Sequence, residues 1–302
     1  MLQPTKQRQC QTIQYKTKQQ NNRTLFKQMS IIHDEGFDPS LINDYIGFIR
    51  GNCIKAIKAL ITGCAQLDIA IEQEENKQLA DKYDAFSDDV YLKINTVWNR
   101  PLVDELVQLW NDPGIAKAYK RSNEFQFIEN AKYLFDNIER IAAEDYKPTP
   151  YDMLCTRTKT TGVIEKVLKV NDKFSMKLVD VGGQRNERRK WFSLFDQCTL
   201  VIFLCATSDF NKLLYEDDET NRLIENLNLF RETVNNRWFK NKPFVVLYNK
   251  MDVFREKIEM GQSITEAFPE YDGPNDTESS VAYIKKKYEE QRETKAPIYA
   301  FE

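Results

Sequence analysis

Residues 163–184 read VIEKVLKVNDKFSMKLVDVGGQ. The two halves are rich in β-branched or alternating apolar residues and are separated by Asn171-Asp172, so the stretch predicts a β-hairpin. Two more apolar runs, Leu200–Ala206 and residues 243–248, follow it, with a helical pattern between them. This alternation of strand, helix and strand predicts an α/β fold with a largely parallel sheet.

The region before the hairpin has a helical pattern instead. Its apolar residues recur at helical spacing in three groups: Ile46, Ile49, Ile54, Ile57, Leu60 and Ile61; Val97, Leu102, Leu106 and Leu109; and Ala131, Leu134, Phe135, Ile138 and Ile141. We therefore predict an all-helical domain over 38–150. The sheet domain is predicted over 151–302, and residues 1–23 are predicted to form a basic, poorly ordered arm.

Composition excludes several classes of protein. The chain has 302 residues, enough for two domains, and its net charge of −3 gives no support for nucleic-acid binding. The longest apolar run, near Leu200–Ala206, is far shorter than the roughly 20 residues of a membrane span. The six cysteines form no CxxC pair, and there is a single histidine, so neither a zinc site nor a histidine-based catalytic group is predicted.

The first 33 residues contain six basic residues and no acidic one. They lack the apolar segment of a secretory signal, so we expect a cytoplasmic protein. Two interpretations of the basic arm stay open: a solvated terminus, or a peripheral electrostatic contact with acidic lipid at the inner face of the plasma membrane or with a partner. Cys10 is likewise either acylated or unmodified.

Asp180 and the residues after it stand at the end of a predicted strand, where open α/β sheets bind ligands. An aspartate in this place can hold Mg²⁺, and glycines such as Gly182 and Gly183 let a backbone N–H approach a terminal phosphate. Gln184 can orient an attacking water. The group predicts phosphoryl transfer, although a strand followed by a turn would give the same pattern.

A second polar group, Asn249-Lys250-Met251-Asp252, ends another predicted strand. The amide of Asn249 can pair with a purine edge, and the stem of Lys250 can cover the ring face. The carboxylate of Asp252 can accept the two N–H groups that guanine offers and adenine lacks. Alone this motif can arise by chance. Its occurrence about 70 residues after the group at Asp180 favours a guanine-nucleotide site.

A third group lies between the helical block and the hairpin, at residues 155–162. Arg157 can neutralise charge that develops on a phosphate, and the hydroxyl of Thr160 can complete a Mg²⁺ shell. A threonine-rich basic loop is the plainer interpretation of the same residues.

From Thr24 to Phe301 the chain resembles the α subunits of heterotrimeric G proteins. The resemblance rests on FKQM at 26–29, IIH at 31–33, RTKTTG at 157–162, DVGGQR at 180–185, KW at 190–191, SDF at 208–210, ED at 216–217 and NNRWF at 235–239. It implies a Ras-like GTPase domain, formed by 24–37 and 151–302, that is interrupted by the helical domain at 38–150. It also implies binding of GTP or GDP with Mg²⁺ and hydrolysis of GTP.

The resemblance assigns roles to individual residues. Arg157, as an internal arginine finger, and Gln184 would be catalytic, and Thr160 and Asp180 would hold Mg²⁺. The nucleotide would be bound by Leu154, Thr156, Lys159, Asp180, Gly182, Gly183, Asn249, Lys250 and Asp252.

The resemblance also implies partners: a βγ dimer, a receptor and an effector. Lys190, Trp191 and Phe195, within the segment 184–195, would contact βγ when GDP is bound. Alternatively, this segment is an amphipathic helix that packs Trp191 and Phe195 on the core of its own chain.

The sequence departs from the family pattern before Thr24. The family has a glycine-rich phosphate loop ending in Gly-Lys-Ser-Thr, whereas residues 16–24 read KTKQQNNRT, in which only Thr24 matches. Losing one lysine contact and two N–H bonds to phosphate, at about 1.5–3 kcal/mol each, makes nucleotide binding less favourable by roughly 5 kcal/mol. The affinity falls by about 10³- to 10⁴-fold. We therefore expect impaired nucleotide binding.

The family also continues, after the residue equivalent to Glu302, into a Thr-Cys-Ala-Thr loop and a receptor-binding helix. We accordingly expect a divergent or incomplete member in which receptor coupling is doubtful. The alternative to a GTPase switch is a nucleotide-independent scaffold, a pseudo-GTPase that binds βγ or other partners.

Overall fold

The computed structural model describes residues 10–16, 25, 27–29, 31–32, 39–86, 94–128, 130–156, 163–171, 174–181, 198–214, 217, 219–239, 241–293 and 297–302. The chain divides into two compact units. The sheet unit comprises Met1–Gly36 and Lys159–Glu302, and the helical unit comprises Phe37–Thr158.

The sheet unit is organised around a six-stranded sheet of order β2-β3-β1-β4-β5-β6. The strands are β1 (Cys10–Lys16), β2 (Val163–Lys169), β3 (Ser175–Val181), β4 (Leu200–Ala206), β5 (Phe244–Asn249) and β6 (Ile298–Phe301). β2 is antiparallel to β3, as the predicted hairpin requires, and the other pairs in the sheet are parallel. The predicted α/β class is confirmed, and the carboxyl ends of β1, β3, β4 and β5 share one edge.

Within residues 1–23, predicted to be a poorly ordered arm, the structure describes residues 10–16, and there it has a strand instead. Cys10–Lys16 forms a strand at the centre of the sheet, parallel to both β3 and β4. Its sequence, CQTIQYK, lacks the apolar run typical of a buried parallel strand. Pairing with a neighbour on each side satisfies its backbone hydrogen-bonding groups, whatever side chains it carries.

The described residues of the helical unit contain eight α-helices and no strand. They are α1 (Ile42–Gln66), α2 (Glu74–Asp84), α3 (Ile94–Val97), α4 (Arg100–Trp110), α5 (Pro113–Lys120), α6 (Ala131–Asp136), α7 (Ile138–Ala142) and α8 (Pro150–Cys155). Their apolar faces form a single core around α1, in which Ile49, Ile57 and Leu60 are completely buried. The helical spacing of these residues in the sequence therefore reflects burial of one helix face.

Three α-helices of the sheet unit are described over their whole length: α9 (Arg222–Val234), α10 (Met251–Glu259) and α11 (Thr277–Glu290). Described residues 25, 27–29 and 31–32 of this unit are helical as well. Aromatic side chains join α9 and α11 to the sheet. Phe230 of α9 lies edge-on to Phe203 of β4, with ring centroids 5.0 Å apart, and 5.2 Å from Tyr288 of α11. This packing fixes the strands whose carboxyl ends carry the site.

No helix among the described residues has both the length and the apolar character needed to cross a membrane.

Candidate functional site

Two of the predicted site residues lie on the same edge of the sheet. Asp180 is the second-last residue of β3, is paired with Tyr15 of β1 and is 1% exposed. Asn249 is the last residue of β5 and is paired with Ala206 of β4. β3 and β5 are separated by three strand spacings of about 4.8 Å, or roughly 14 Å. The two residues can therefore engage different ends of an elongated ligand.

The turn from β5 into α10 presents two polar side chains to solvent. Lys250, the residue between strand and helix, has a left-handed backbone with φ of 62° and ψ of 38°. For a residue with a Cβ this conformation is unfavourable by roughly 1–2 kcal/mol, so the surrounding structure must hold it. Asn249 on one side of Lys250 and Asp252 on the other are both exposed.

The segment that follows β4 holds this turn through side-chain hydrogen bonds. The buried hydroxyl of Thr207 donates to the backbone carbonyl of Asn249 at 2.9 Å. From α10, the ammonium of Lys257 donates to the carbonyl of Ser208 at 2.9 Å and to Oδ1 of Asn211 at 2.5 Å. The ends of β4 and β5 are thus bound together on the side where Asn249 and Asp252 are exposed.

Asp209, in the short 3₁₀ helix Thr207–Asp209, anchors the lysine of the turn. Its Oδ1 lies 3.9 Å from Nζ of Lys250 and 3.8 Å from Nζ of Lys212. All three side chains are less than one-fifth exposed, which limits screening of these ion pairs by solvent. Fixing the ammonium of Lys250 restricts its aliphatic stem, the part expected to cover a purine ring.

Sequence reasoning did not single out Thr207, Asp209 as an anchor, or Lys257. Asp209 entered only within a stretch shared with the family, and Thr207 and Lys257 were not considered. A usable signal exists for the first two, because both lie within three residues of the end of the predicted strand Leu200–Ala206.

Asp180 offers oxygen donors of the type that Mg²⁺ prefers. Among the described residues no group of three or more His, Cys, Asp or Glu side chains could hold a metal. Mg²⁺ commonly binds through one or two carboxylates together with water and substrate phosphates, so a single buried aspartate at the ligand edge fits that ion. Asp180 and the predicted Thr160 would hold it.

In the helical unit, the predicted nucleotide contacts Leu154 and Thr156 lie at the carboxyl end of α8. Leu154 is half-buried and Thr156 is 5% exposed. The hydroxyl of Thr156 donates to the carbonyl of Asp152 at 2.8 Å, which closes the helix end. These two residues therefore belong to a well-defined turn.

The other predicted site residues lie outside the described residues, and their roles remain predictions. They are Arg157, Lys159, Thr160, Gly182, Gly183, Gln184, Lys190, Trp191 and Phe195.

Comparison with known proteins gives a consistent result. A family model described as G-protein alpha subunit matches residues 17–302. Guanine nucleotide-binding protein alpha-4 subunit of Dictyostelium discoideum is 38% identical over 281 residues, covering 91% of this chain and 78% of that protein. Guanine nucleotide-binding protein G(o) subunit alpha of Locusta migratoria is 36% identical, covering 91% and 77% respectively. Its namesake from Caenorhabditis elegans is 35% identical, covering 88% and 74%.

The family architecture, a Ras-like domain with a helical insertion, agrees with the sheet unit and the helical unit, which confirms the predicted fold class. The family consists of GTPases of signal transduction. Since the match covers nearly the whole chain, this protein is a member of the G-protein α-subunit family.

Proposed function

We propose that this chain is a signalling switch that binds GTP and GDP with Mg²⁺ and hydrolyses GTP. The observation that carries the proposal is the turn from β5 to α10. Asn249 and Asp252 are exposed on either side of Lys250, whose ammonium lies 3.9 Å from Asp209.

This turn supports selection of guanine. The carboxylate of Asp252 is in the first turn of α10, next to the turn that carries Asn249. An ionised carboxylate accepts the N1–H and the exocyclic N–H of guanine, while Asn249 pairs with the other edge of the base. Adenine offers neither of those N–H groups in that arrangement, so binding adenine would leave a polar group unpaired.

Hydrolysis requires the sheet edge at Asp180. Asp180 and Thr160 would hold Mg²⁺, which when bound neutralises charge on the phosphate oxygens. By the family pattern, Gln184 orients the attacking water and Arg157 offsets charge developing on the phosphate in the transition state.

Nucleotide affinity is proposed to be reduced by the sequence at 16–24. A glycine-rich loop allows several backbone N–H groups to converge on phosphate, and the lysine adds a positive charge. The sequence KTKQQNNRT contains lysines but no glycine, so the charge can be replaced more readily than the backbone arrangement.

The proposed partners are those of the family. A βγ dimer would bind the segment 184–195 through Lys190, Trp191 and Phe195, and an effector would distinguish the GTP and GDP states. A receptor and a peripheral contact with the inner face of the plasma membrane complete the proposed setting.

Titration of the full chain with a fluorescent GTP analogue and Mg²⁺ tests the proposal. Binding with Kd of about 1 μM or tighter, a free energy near −8 kcal/mol, supports the switch and excludes a scaffold that does not use nucleotide. Absence of binding at about 1 mM analogue refutes the switch and leaves the scaffold, which the sequence at 16–24 favours.

Substitution Gln184→Leu separates binding from hydrolysis. We expect hydrolysis to be abolished and affinity to stay nearly unchanged, because the glutamine acts on water in the transition state. A parallel fall in affinity would contradict the role assigned to Gln184.

A further inference from the structure

A buried carboxylate lies in α8, four residues before Thr156, the last residue of the helical unit that the structure describes. Asp152 of α8 is 1% exposed, yet it receives hydrogen bonds from several directions. Arg140 of α7 binds both carboxylate oxygens at 2.7 Å through its two terminal nitrogens. The hydroxyls of Tyr133 and Tyr146 donate at 2.6 and 3.0 Å, and the backbone N–H of Thr149 donates at 2.7 Å.

The carboxylate is therefore fully engaged as an anion. Burial raises the pKa of Asp152. The hydrogen bonds from Arg140, Tyr133, Thr149 and Tyr146 lower it by more than burial raises it, so the net pKa lies well below its usual value. The guanidinium of Arg140 also lies over the ring of Tyr146, 5.6 Å from the centroid. An ion pair with this many partners has a strongly preferred geometry.

These contacts fix a helix that is too short to be stable alone. α8 has six residues, whereas isolated helices below about 12–15 residues are marginal in water. Thr149 and Asp152 form a capping box at its start. At its end, Thr156 donates to the carbonyl of Asp152, and the side chain of Asn130 donates to the carbonyl of Cys155.

The carboxylate of Asp152 thus joins α8 to the interior of the helical unit, while its backbone carbonyl accepts the hydroxyl of Thr156 at the helix end. The segment that these hydrogen bonds fix ends at Thr156. Arg157, the predicted arginine finger, is the next residue in the chain. Phosphoryl transfer depends steeply on placement, since a displacement of about 1 Å can lower a rate by about 10².

We propose that Asp152 is a positioning residue for GTP hydrolysis, which fixes the end of α8 immediately before Arg157 in the chain and does not itself contact nucleotide. The proposal rests on the proposed function, because it assumes that the chain hydrolyses GTP. If Asp152 were purely structural, its substitution would affect stability alone. A positioning role requires that the substitution also slow hydrolysis, and that it do so through Arg157.

The chain offers a matched control in Asp112. Asp112 is also a completely buried carboxylate of the helical unit, and it accepts four hydrogen bonds, from the N–H groups of Glu72, Gln73 and Gly114 and from the amide of Asn76. It lies between α4 and α5 in sequence, away from α8. Asp152→Asn and Asp112→Asn should both destabilise the helical unit, but only the first should disturb the end of α8.

The test compares the rate of hydrolysis of bound GTP with the affinity for a fluorescent GTP analogue. We expect Asp152→Asn to slow hydrolysis by about 10- to 100-fold with a much smaller change in affinity, and Asp112→Asn to leave the rate unchanged. On an Arg157→Ala background, Asp152→Asn should slow hydrolysis no further, because residues acting as one unit are not additive. Equal effects of both asparagine variants, or full additivity with Arg157→Ala, would overturn the proposal.

Amide hydrogen exchange provides a second readout that needs no nucleotide. The amides of Cys155 and Thr156 should exchange faster in Asp152→Asn than in wild type, and at wild-type rates in Asp112→Asn. If Asp152→Asn fails to fold, Tyr133→Phe, which removes one hydroxyl donor, should show the same pattern at smaller amplitude. Unchanged exchange at the end of α8 would overturn the proposal, whereas absent hydrolysis by folded wild type would refute the proposed function instead.

Discussion

Removal of the buried carboxylate of Asp112 should clearly destabilise the helical unit. Its carboxylate accepts from the N–H of Glu72 at 3.2 Å, of Gln73 at 3.0 Å and of Gly114 at 2.8 Å, and from the amide of Asn76 at 2.8 Å. It thereby joins the start of α2 to the start of α5, for which it is also the N-cap. The substitution Asp112→Ala removes all four acceptor contacts at once.

The expected destabilisation follows from which donors lose access to water. Glu72 and Gln73 are exposed, so solvent can partly replace the lost carboxylate. Asn76 and Gly114 are buried, and each donor left unsatisfied there lowers stability by about 1–3 kcal/mol. The bond from Gly114 is also the cap of α5, so these two donors together should lower the free energy of unfolding by roughly 2–6 kcal/mol, and Tm by about 8–24 °C.

The effect should also depend on pH. Burial raises the pKa of Asp112, but hydrogen bonds from Asn76, Gln73, Glu72 and Gly114 lower it more, so the net pKa is below its usual value of 3.8. A carboxyl whose pKa is lowered by folding stabilises the protein fully above its unfolded pKa and loses that contribution as pH falls through the folded pKa. The stability difference between wild type and Asp112→Asn should therefore be constant near neutrality and shrink below about pH 4.

Urea unfolding followed by far-ultraviolet circular dichroism measures these differences. Asp104→Ala is the matched surface control, because Asp104 and its ion-pair partner Arg100 are both more than half exposed, and its effect should stay within about 0.5 kcal/mol. A loss below about 1 kcal/mol in Asp112→Ala would refute the reasoning. So would a difference between wild type and Asp112→Asn that grows on acidification.

Two further predictions concern backbone clearance and the lysine anchor. Gly114→Ala should destabilise the helical unit, because a Cβ there would lie 2.1 Å from the backbone oxygen of Ala70; an unchanged midpoint of thermal unfolding would contradict this. Asp209→Asn should remove the negative charge that pairs with Lys250 and Lys212 and speed dissociation of a fluorescent guanine nucleotide about tenfold, the equivalent of roughly 1.4 kcal/mol. Dissociation at the wild-type rate from a folded Asp209→Asn variant would show that the anchor does not affect the base.

The hydrophobic pattern of the sequence predicted those strands and helices whose burial is reflected in their own residues. The hairpin of β2 and β3 and the whole of β4 were predicted because a buried or half-buried strand records its environment in its own sequence. The residues of β1 were assigned to a poorly ordered arm because their place depends on pairing with strands more than 150 residues away, and their polar sequence gives no local sign of burial. Likewise, the apolar pattern through 131–141 continues across Asn137, where the structure has a break between α6 and α7.

The candidate site shows the same division. Asn249, Lys250, Asp252 and Asp180 were identified from motifs at strand ends, and the structure places these residues on one edge of the sheet. The ion pair between Asp209 and Lys250 could not be predicted from spacing, because it joins the ends of two strands about 40 residues apart. Nor does the sequence indicate the left-handed backbone of Lys250, since such positions usually carry glycine or asparagine.

The central claim, that the turn after β5 selects guanine through the carboxylate of Asp252, is tested most directly by base preference. Affinities for GTP and xanthosine triphosphate are measured on wild type, on Asp252→Asn and on Glu256→Gln, a control one helical turn further along α10 that is also exposed. An asparagine can donate to the C2 carbonyl of xanthine but cannot accept both guanine N–H groups, so the preference should shift towards xanthine by about 100-fold or more in Asp252→Asn alone. A ratio that stays the same in Asp252→Asn, or a wild type that does not distinguish the two bases, would contradict the account.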